Sequence, residues 1–407
     1  AELKMELRDL EGSRQTLKRL VTDFPESASD VRVSILEGRI LLADRKAEDA
    51  ITVLTAALQK EGISERDRLL CSYHLIRSSH MAKKFEQGLA VFEPLEDAYS
   101  EPENSDFYGA IALAAMSSLE LKQYDKSQQY SEQFLKLETD PNSVADGLAA
   151  HAVASAHLKQ FVAVKIDLKR LAADFNENPQ TWLAALQCAE TAWDAEDFLA
   201  AAEFFELAAT RKDDARIHEP ALTGAAWCRY RLGQFEQSAE MFEQAAKAYG
   251  NSIAINEINY MAAMSRFEQG RLAEAESLFR LVFDKLEKEV TNDPNHPDAE
   301  YAFDSGRMYA RLVAKNAEAA NDVWKRLTTV FADSSSLDSL LEEWAFFNLG
   351  NGNYEQSDAI YKRLLDKFPN SKYAGQARLS LAESDMLANR MDEALKEFEA
   401  ISSGPEF

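Results

Sequence analysis

Histidines, paired carboxylates and cysteines are the side chains of this chain that could do chemistry, and their spacing decides whether they can do it together. His74 and His80, like His151 and His157, stand six residues apart. On a helix that spacing puts the two rings on different faces, so neither pair is the two-ligand set of a helix-borne metal site. Carboxylate pairs recur, among them Glu342 with Glu343 and Glu203 with Glu206. General acid–base work would need an apolar pocket and a His or a positioned nucleophile beside them, and the sequence offers neither. They read as solvated helix faces. Cys71, Cys188 and Cys228 lie far apart, each inside a helical stretch, and read as small apolar core residues. There is no Gly-rich phosphate loop and no triad-like arrangement. The expectation is a protein that is not an enzyme, with no catalytic residue, no metal and no cofactor.

What the sequence does carry is a repeat. From Leu222 to Ser252, apolar or small residues at Leu222, Ala225, Ala226 and Tyr230 give way to Leu232-Gly233-Gln234, and the pattern resumes at Phe235, Ser238, Phe242 and Ala245. Steps of three and four on both sides of a break describe two antiparallel helices and a corner. Taking Phe235 as an anchor, equivalent positions are Leu10, Ala47, Phe85, Tyr124, Phe161, Phe198, Leu272, Ala317, Tyr354 and Met391. Their successive spacings are 37 to 39 residues, except for 45 between Leu272 and Ala317. A fixed period of this size means helical hairpins that bury their apolar faces against their neighbours. Pro25, Gly62, Pro102, Pro141, Pro179, Pro220, Gly250, Pro294 with Pro297, Ser334 to Ser336, and Pro369 punctuate the hairpins. Pro94 falls inside a second helix and should kink it. Gly233, Gly270 and Gly352 share one corner offset, where a left-handed residue can end a first helix.

Composition excludes several partners. The 407 residues carry 45 Lys and Arg against 69 Asp and Glu, a net charge of −24. Such a field repels phosphate backbones and anionic headgroups, so neither nucleic acid nor a membrane surface is expected to bind. The longest apolar run, Phe107 to Met116, is too short to span a bilayer, and the chain reads as soluble, with no membrane insertion.

Three positions in each unit carry the packing. Nine residues before the anchor stand Gly38, Ile76, Ala115, Ala152, Ala189, Ala226, Ala263, Met308, Ala345 and Ala382. Three after it the side chains are small in all but Val164; seven after it they are large, from Leu17 and Leu54 to Tyr361 and Phe398, except Ser131. This pattern resembles the tetratricopeptide repeat family, over almost the whole chain. The resemblance implies an all-α fold: an α-solenoid of about ten to eleven hairpins in a right-handed superhelix, serving as a non-catalytic protein–protein interaction scaffold. Phe24-Pro25-Glu26-Ser27, Phe175-Asn176-Glu177-Asn178 and Phe368-Pro369-Asn370-Ser371-Lys372-Tyr373 also resemble repeat ends of bacterial envelope members of that family. That likeness favours the periplasm or cell envelope over the cytoplasm. The family's chaperone-binding subgroup uses a Lys/Asn/Arg carboxylate clamp on successive first helices. Here the corresponding faces offer Thr223, Trp227, Tyr260 and Met264, so the resemblance stops short of that role.

Eight residues before the anchor, a position that by this resemblance lines the concave surface, four successive units place Trp227, Met264, Tyr309 and Phe346. Tyr260 and Arg231 stand on nearby turns. Large aromatics and Met on a preformed surface are what peptide grooves use. The candidate partner-binding residues are therefore Trp227, Arg231, Tyr260, Met264, Tyr309 and Phe346, and the alternative is that they pack on one another. The expected partner is a protein or peptide of apolar and basic character. A structural module that self-associates through its end repeats to form a homo-oligomer is a second reading, and a carbohydrate-active helical toroid with converging carboxylates a third.

The expected division is residues 1–290 as hairpins, the first partial; 291–297 as a loop and hinge; 298–402 as three further hairpins; and 403–407 as a tail or cloning scar. The chain starts at Ala1 without a basic or apolar leader, and Leu10 to Pro25 already reads as a second helix, so a fragment or processed form is expected.

Overall fold

The computed structural model describes residues 9–138 and 140–402, so the 403–407 tail lies outside the described residues. Within them the chain is helical and contains no strand. It divides into two compact units, residues 1–228 and 229–407. The first holds α1 (Leu10–Asp23), α2 (Val31–Ala43) with α3 (Ala47–Leu58), and α4 (Glu65–Met81) with α5 (Phe85–Phe92) and the short α6 (Glu96–Ser100). It continues through α7 (Gly109–Glu120) with α8 (Tyr124–Leu137), α9 (Pro141–His157) with α10 (Phe161–Asp174), and α11 (Pro179–Asp194) with α12 (Phe198–Ala208). It ends at Cys228, inside α13 (Ala215–Arg231). The second unit holds α14 (Phe235–Ala248), α15 (Ile255–Glu268) with α16 (Leu272–Asn292), and α17 (Ala299–Leu312) with α18 (Ala317–Val330). α19 (Leu337–Gly350) with α20 (Tyr354–Lys367) and α21 (Ala374–Leu387) with α22 (Met391–Ser402) complete it.

All eleven anchors are the first residue of a helix, and from Ala47 onward that helix is the second of a hairpin. The corner that precedes them is built on backbone geometry. Two residues before the anchor, Arg45, Lys83, Lys122, Lys159, Glu196, Gly233, Gly270, Gly352 and Asn389 all have φ between 57° and 78°. The next residue's N–H then closes back onto a carbonyl five residues earlier, as from Gln123 to Ser118 (2.8 Å) and from Gln234 to Arg229 (2.8 Å). This is the Schellman closure, in which a left-handed residue satisfies the last helical carbonyls. Only three of these corners carry the glycine that makes them readable. The Ala317 corner differs: the Asn316 side chain accepts from the Ala319 N–H instead.

Within each unit the two helices of a hairpin pack on one another, as α2 on α3 and α19 on α20, and some first helices also pack on the next first helix, as α9 does on α11 and α15 on α17. The residues three after the anchor, from Ser13 to Ala394, are all buried. Gly38 shows the reason for small side chains nine before it, since a Cβ there would lie 2.7 Å from Leu54. The large residues seven after the anchor are buried except at the two ends, where Leu17 and Phe398 are half-exposed. Within the α2–α3 hairpin a large side chain of the second helix thus closes over a small residue of the first.

Two proline expectations part company. Pro94 breaks its helix as expected, with α5 passing through a 3₁₀ turn, Glu93–Leu95, into α6. Pro220 does not punctuate: α13 starts five residues earlier and runs through it. Pro220 is the sixth residue of α13, so the helix forgoes the bond its N–H would make to the Arg216 carbonyl, a cost that the buried face of the rest of the helix (Ile217, Ala221, Leu222, Ala225, Ala226, Cys228) offsets. The extra residues before Ala317 lengthen α16 to 21 residues, reaching Asn292. The loop that follows is tied down: Asn256 Nδ2 donates to Asp298 Oδ2 (2.7 Å), and Val282, Leu286, Val290 and Ala302 pack together across it.

Candidate partner-binding clefts

Most of the residues with chemical potential have structural partners, although the buried His74 Nδ1 makes no hydrogen bond among the described residues. His151 Nδ1 meets Asp167 Oδ2 at 2.6 Å, His80 meets Ser117 Oγ at 3.0 Å, and the His157 ring stacks on Tyr124 at 4.0 Å. His74 is buried, and burial, with Arg39 and Arg77 nearby, pulls its pKa down to about 3, so it is neutral. All three cysteines are buried. Of the carboxylates read as solvated faces, Glu203 pairs with Lys165 (2.5 Å), and Glu343 is held between Arg307 and Arg311 with its side chain only 17% exposed. Glu343 is therefore part of a structural ion network rather than of a solvated face. No helix among the described residues is long and apolar enough to cross a membrane.

The row at the shared offset divides by depth. In the first unit Trp227 is half-buried. In the second, Met264 and Tyr260 are half-buried and pack against the core, the Tyr260 ring 5.3 Å from that of Tyr301. Tyr309, at 9% exposure, belongs to the core itself with Phe279, Phe283, Trp324 and Leu327. Phe346 stands out at 61% exposure, and Arg231 is also exposed. The expectation of a row of partly exposed side chains thus fails at Tyr309. The repeat offset fixes which face of a helix a residue occupies, and the bulk of the neighbouring helices decides how deeply that face is covered.

Around Phe346 the second unit opens a cleft of about 620 Å³ between α17 and α19, with Trp324 of α18 contributing to its lining. Ala310, Arg311, Ala314 and Lys315 line one side; Glu342, Glu343, Phe346, Phe347 and Gly350 line the other. Arg311 is committed to Glu343, donating from Nε (3.1 Å) and a terminal nitrogen (2.7 Å). Burial raises the Glu342 pKa, and the adjacent Glu343 adds to this. A partly desolvated carboxylate next to an exposed aromatic ring favours an apolar side chain accompanied by a cation.

The first unit has its own cleft, about 450 Å³, lined by Glu190, Trp193 and Asp194 of α11, Phe205 of α12, and Gly224 and Trp227 of α13. Glu190 and Asp194 are one turn apart, hence on one face of α11, and Gly224 and Trp227 likewise on α13. A Cβ on Gly224 would come within 2.7 Å of the Phe205 ring, so glycine permits the close approach here. Of this cleft, Trp227 alone was expected from the repeat offset. Glu190 sits at the same offset one unit earlier, and the rule sought aromatics. Trp193 and Asp194 follow from Glu190 by helical spacing.

A tetratricopeptide repeat family model matches residues 223–297 and 349–406. In those two segments the chain carries tetratricopeptide repeats. The matched segments hold the anchors Phe235, Leu272, Tyr354 and Met391, three of them preceded by the glycine corners Gly233, Gly270 and Gly352. No curated protein matches the chain. Among solved structures, the apo form of RapI is similar at 13% identity, covering 93% of this chain and 99% of its own, with a TM-score of 0.42. The C-terminal part of a tetratricopeptide repeat-containing protein from Cytophaga hutchinsonii is similar at 13% identity, covering 75% and 98%, with a TM-score of 0.40. A tetratricopeptide repeat protein from Parabacteroides merdae is similar at 12% identity over 62% and 91%, also with a TM-score of 0.40.

Proposed function

We propose that this tetratricopeptide repeat protein is a non-catalytic scaffold that holds a protein segment of apolar and basic character. The observation that carries the reading is the α17–α19 cleft, where Phe346 is 61% exposed beside the half-buried Glu342, whose pKa burial raises. Large apolar side chains in an open cleft with a polar rim are the usual anchors of binding surfaces. The net charge of −24 supports a partner rich in Lys or Arg, whose on-rate falls with added salt. Panning one random peptide library against the protein and its Phe346→Ala variant tests this. Peptides enriched on the parent should combine an apolar residue with Lys or Arg and bind the variant at least tenfold more weakly. Peptides that bind both equally, or that lack basic residues, would overturn it.

A second reading is self-association through the last hairpin, favoured by the exposure there of Met386, Leu387, Met391 and Leu395, with Leu387 at 83%. Light scattering over a concentration series separates the two, since a scaffold stays at one mass. On the likeness of the repeat ends to envelope members, we place the working compartment in a bacterial periplasm or envelope. Fractionating cells that express the full gene product tests that placement.

A further inference from the structure

The cleft of the first unit differs in chemistry from that of the second. Glu190 and Asp194 project from adjacent turns of α11, both exposed. No Lys or Arg among the described residues pairs with either. Two like charges one turn apart destabilise a helix slightly; the His157 ring feels Asp194, but burial, with Lys122, lowers its pKa, so it does not supply a full cation. Burial, with Asp194 beside it, lifts the pKa of Glu190, as expected of a carboxylate held at the mouth of an apolar recess. The recess itself has the indoles of Trp193 and Trp227 and the Phe205 ring as walls, about 450 Å³ in all, with Gly224 leaving one side without a side chain.

We propose that this cleft receives a single arginine side chain of the partner, the guanidinium lying against the indoles and donating to Glu190 and Asp194. The inference rests on the scaffold reading above and names the chemistry of one of its contacts. A guanidinium suits this lining better than an ammonium. It is flat, weakly hydrated and stacks on aromatic faces, and its fork of donors can reach two carboxylates at once. A neutral side chain of the same shape would leave both carboxylates unpaired, so the cleft should discriminate by charge rather than by size.

The test needs no identified partner. N-acetyl-arginine amide is titrated into the labelled protein while the indole N–H resonances of Trp193 and Trp227 are followed. The citrulline analogue serves as the neutral isostere at matched salt. Arginine amide should shift both resonances saturably, with a dissociation constant on the order of millimolar, as one charge pair and one stacking contact allow. The citrulline analogue should bind at least tenfold more weakly, and the Glu190→Gln/Asp194→Asn variant should lose saturation for arginine. Both carboxylates are exposed, so the variant should fold; Asp194→Asn alone, with a smaller loss, is the control if it does not. Shifts that do not saturate, equal binding of citrulline, or unchanged binding by the variant would overturn the proposal. If arginine fails here while Phe346→Ala still weakens peptide capture at least tenfold, the scaffold reading stands and the arginine pocket falls.

Discussion

Replacing Phe346 and Tyr309 by alanine, one at a time, separates binding residues from packing residues at a single repeat offset. Tyr309 is 9% exposed within a core that includes Phe279, Phe283 and Trp324, so truncation leaves a cavity that the surrounding helices fill only in part. Large aromatic-to-alanine changes in such cores cost about 3 to 5 kcal/mol. Phe346 is 61% exposed, so roughly two fifths of its area is at stake. With about 1.5 to 3 kcal/mol for burying a whole Phe side chain, the loss is about 1 kcal/mol. The assay is denaturant unfolding of both variants, read together with affinity for a peptide selected on the parent protein. Tyr309→Ala should shift the unfolding midpoint strongly, whereas Phe346→Ala should leave it almost in place and weaken peptide binding by about 2 kcal/mol, roughly thirtyfold. Equal destabilisation by the two would refute the depth argument. Unchanged binding by Phe346→Ala would show that the α17–α19 cleft is not the contact surface.

Glu196, with φ 61° at the C-terminal end of α11, suffers both left-handed strain and an unfavourable helix dipole, so Glu196→Gly should raise stability by about 1 kcal/mol in thermal unfolding. Lys122→Gly should gain less, because its cation suits that end of the helix, and Gly233→Ala should lose about 1 kcal/mol. His74 has a folded pKa of about 3 against about 6.5 unfolded, so its contribution is present above pH 6.5 and lost as the pH falls toward 3. Between pH 7 and 5 that loss is about 2 kcal/mol and should vanish in His74→Asn, as pH-dependent unfolding curves would show. For His151, burial lowers the pKa but the Asp167 hydrogen bond and Glu132 outweigh it and raise it, so its contribution is present below pH 6.5 and lost as the pH rises through the raised value. Limited proteolysis should cut first among the exposed residues 292–295, and the two fragments should still co-migrate on a sizing column, because Val282, Leu286, Val290 and Ala302 pack across the nick.

The repeat was legible because its signal lies in side-chain size at fixed positions. A small residue before the corner, another just after it and a large one a turn further on recur because close-packed helices admit little else, and all eleven anchors open helices in the structure. The corners were legible only at Gly233, Gly270 and Gly352. Arg45, Lys83, Lys122, Lys159, Glu196 and Asn389 adopt the same left-handed geometry, yet all but Asn389 are side chains that betray no such preference, and the strain is held by the hairpins on either side. Pro220 misled for the mirror-image reason: a strong local signal was overridden by the length of α13. The clefts show the same division. Periodicity singled out Trp227 and Phe346, since both lie on the first-helix face that the repeat defines. It could not tell that Tyr309, at the same offset, would be covered by the core, because cover depends on neighbouring bulk and not on phase. Nor could it weigh Glu190 and Asp194, where function would lie in what is absent from their surroundings: a matching cation. A repeat tells which residues face outward together. Only the packed structure tells which of them remain uncovered and unpaired, and those two properties make a contact surface.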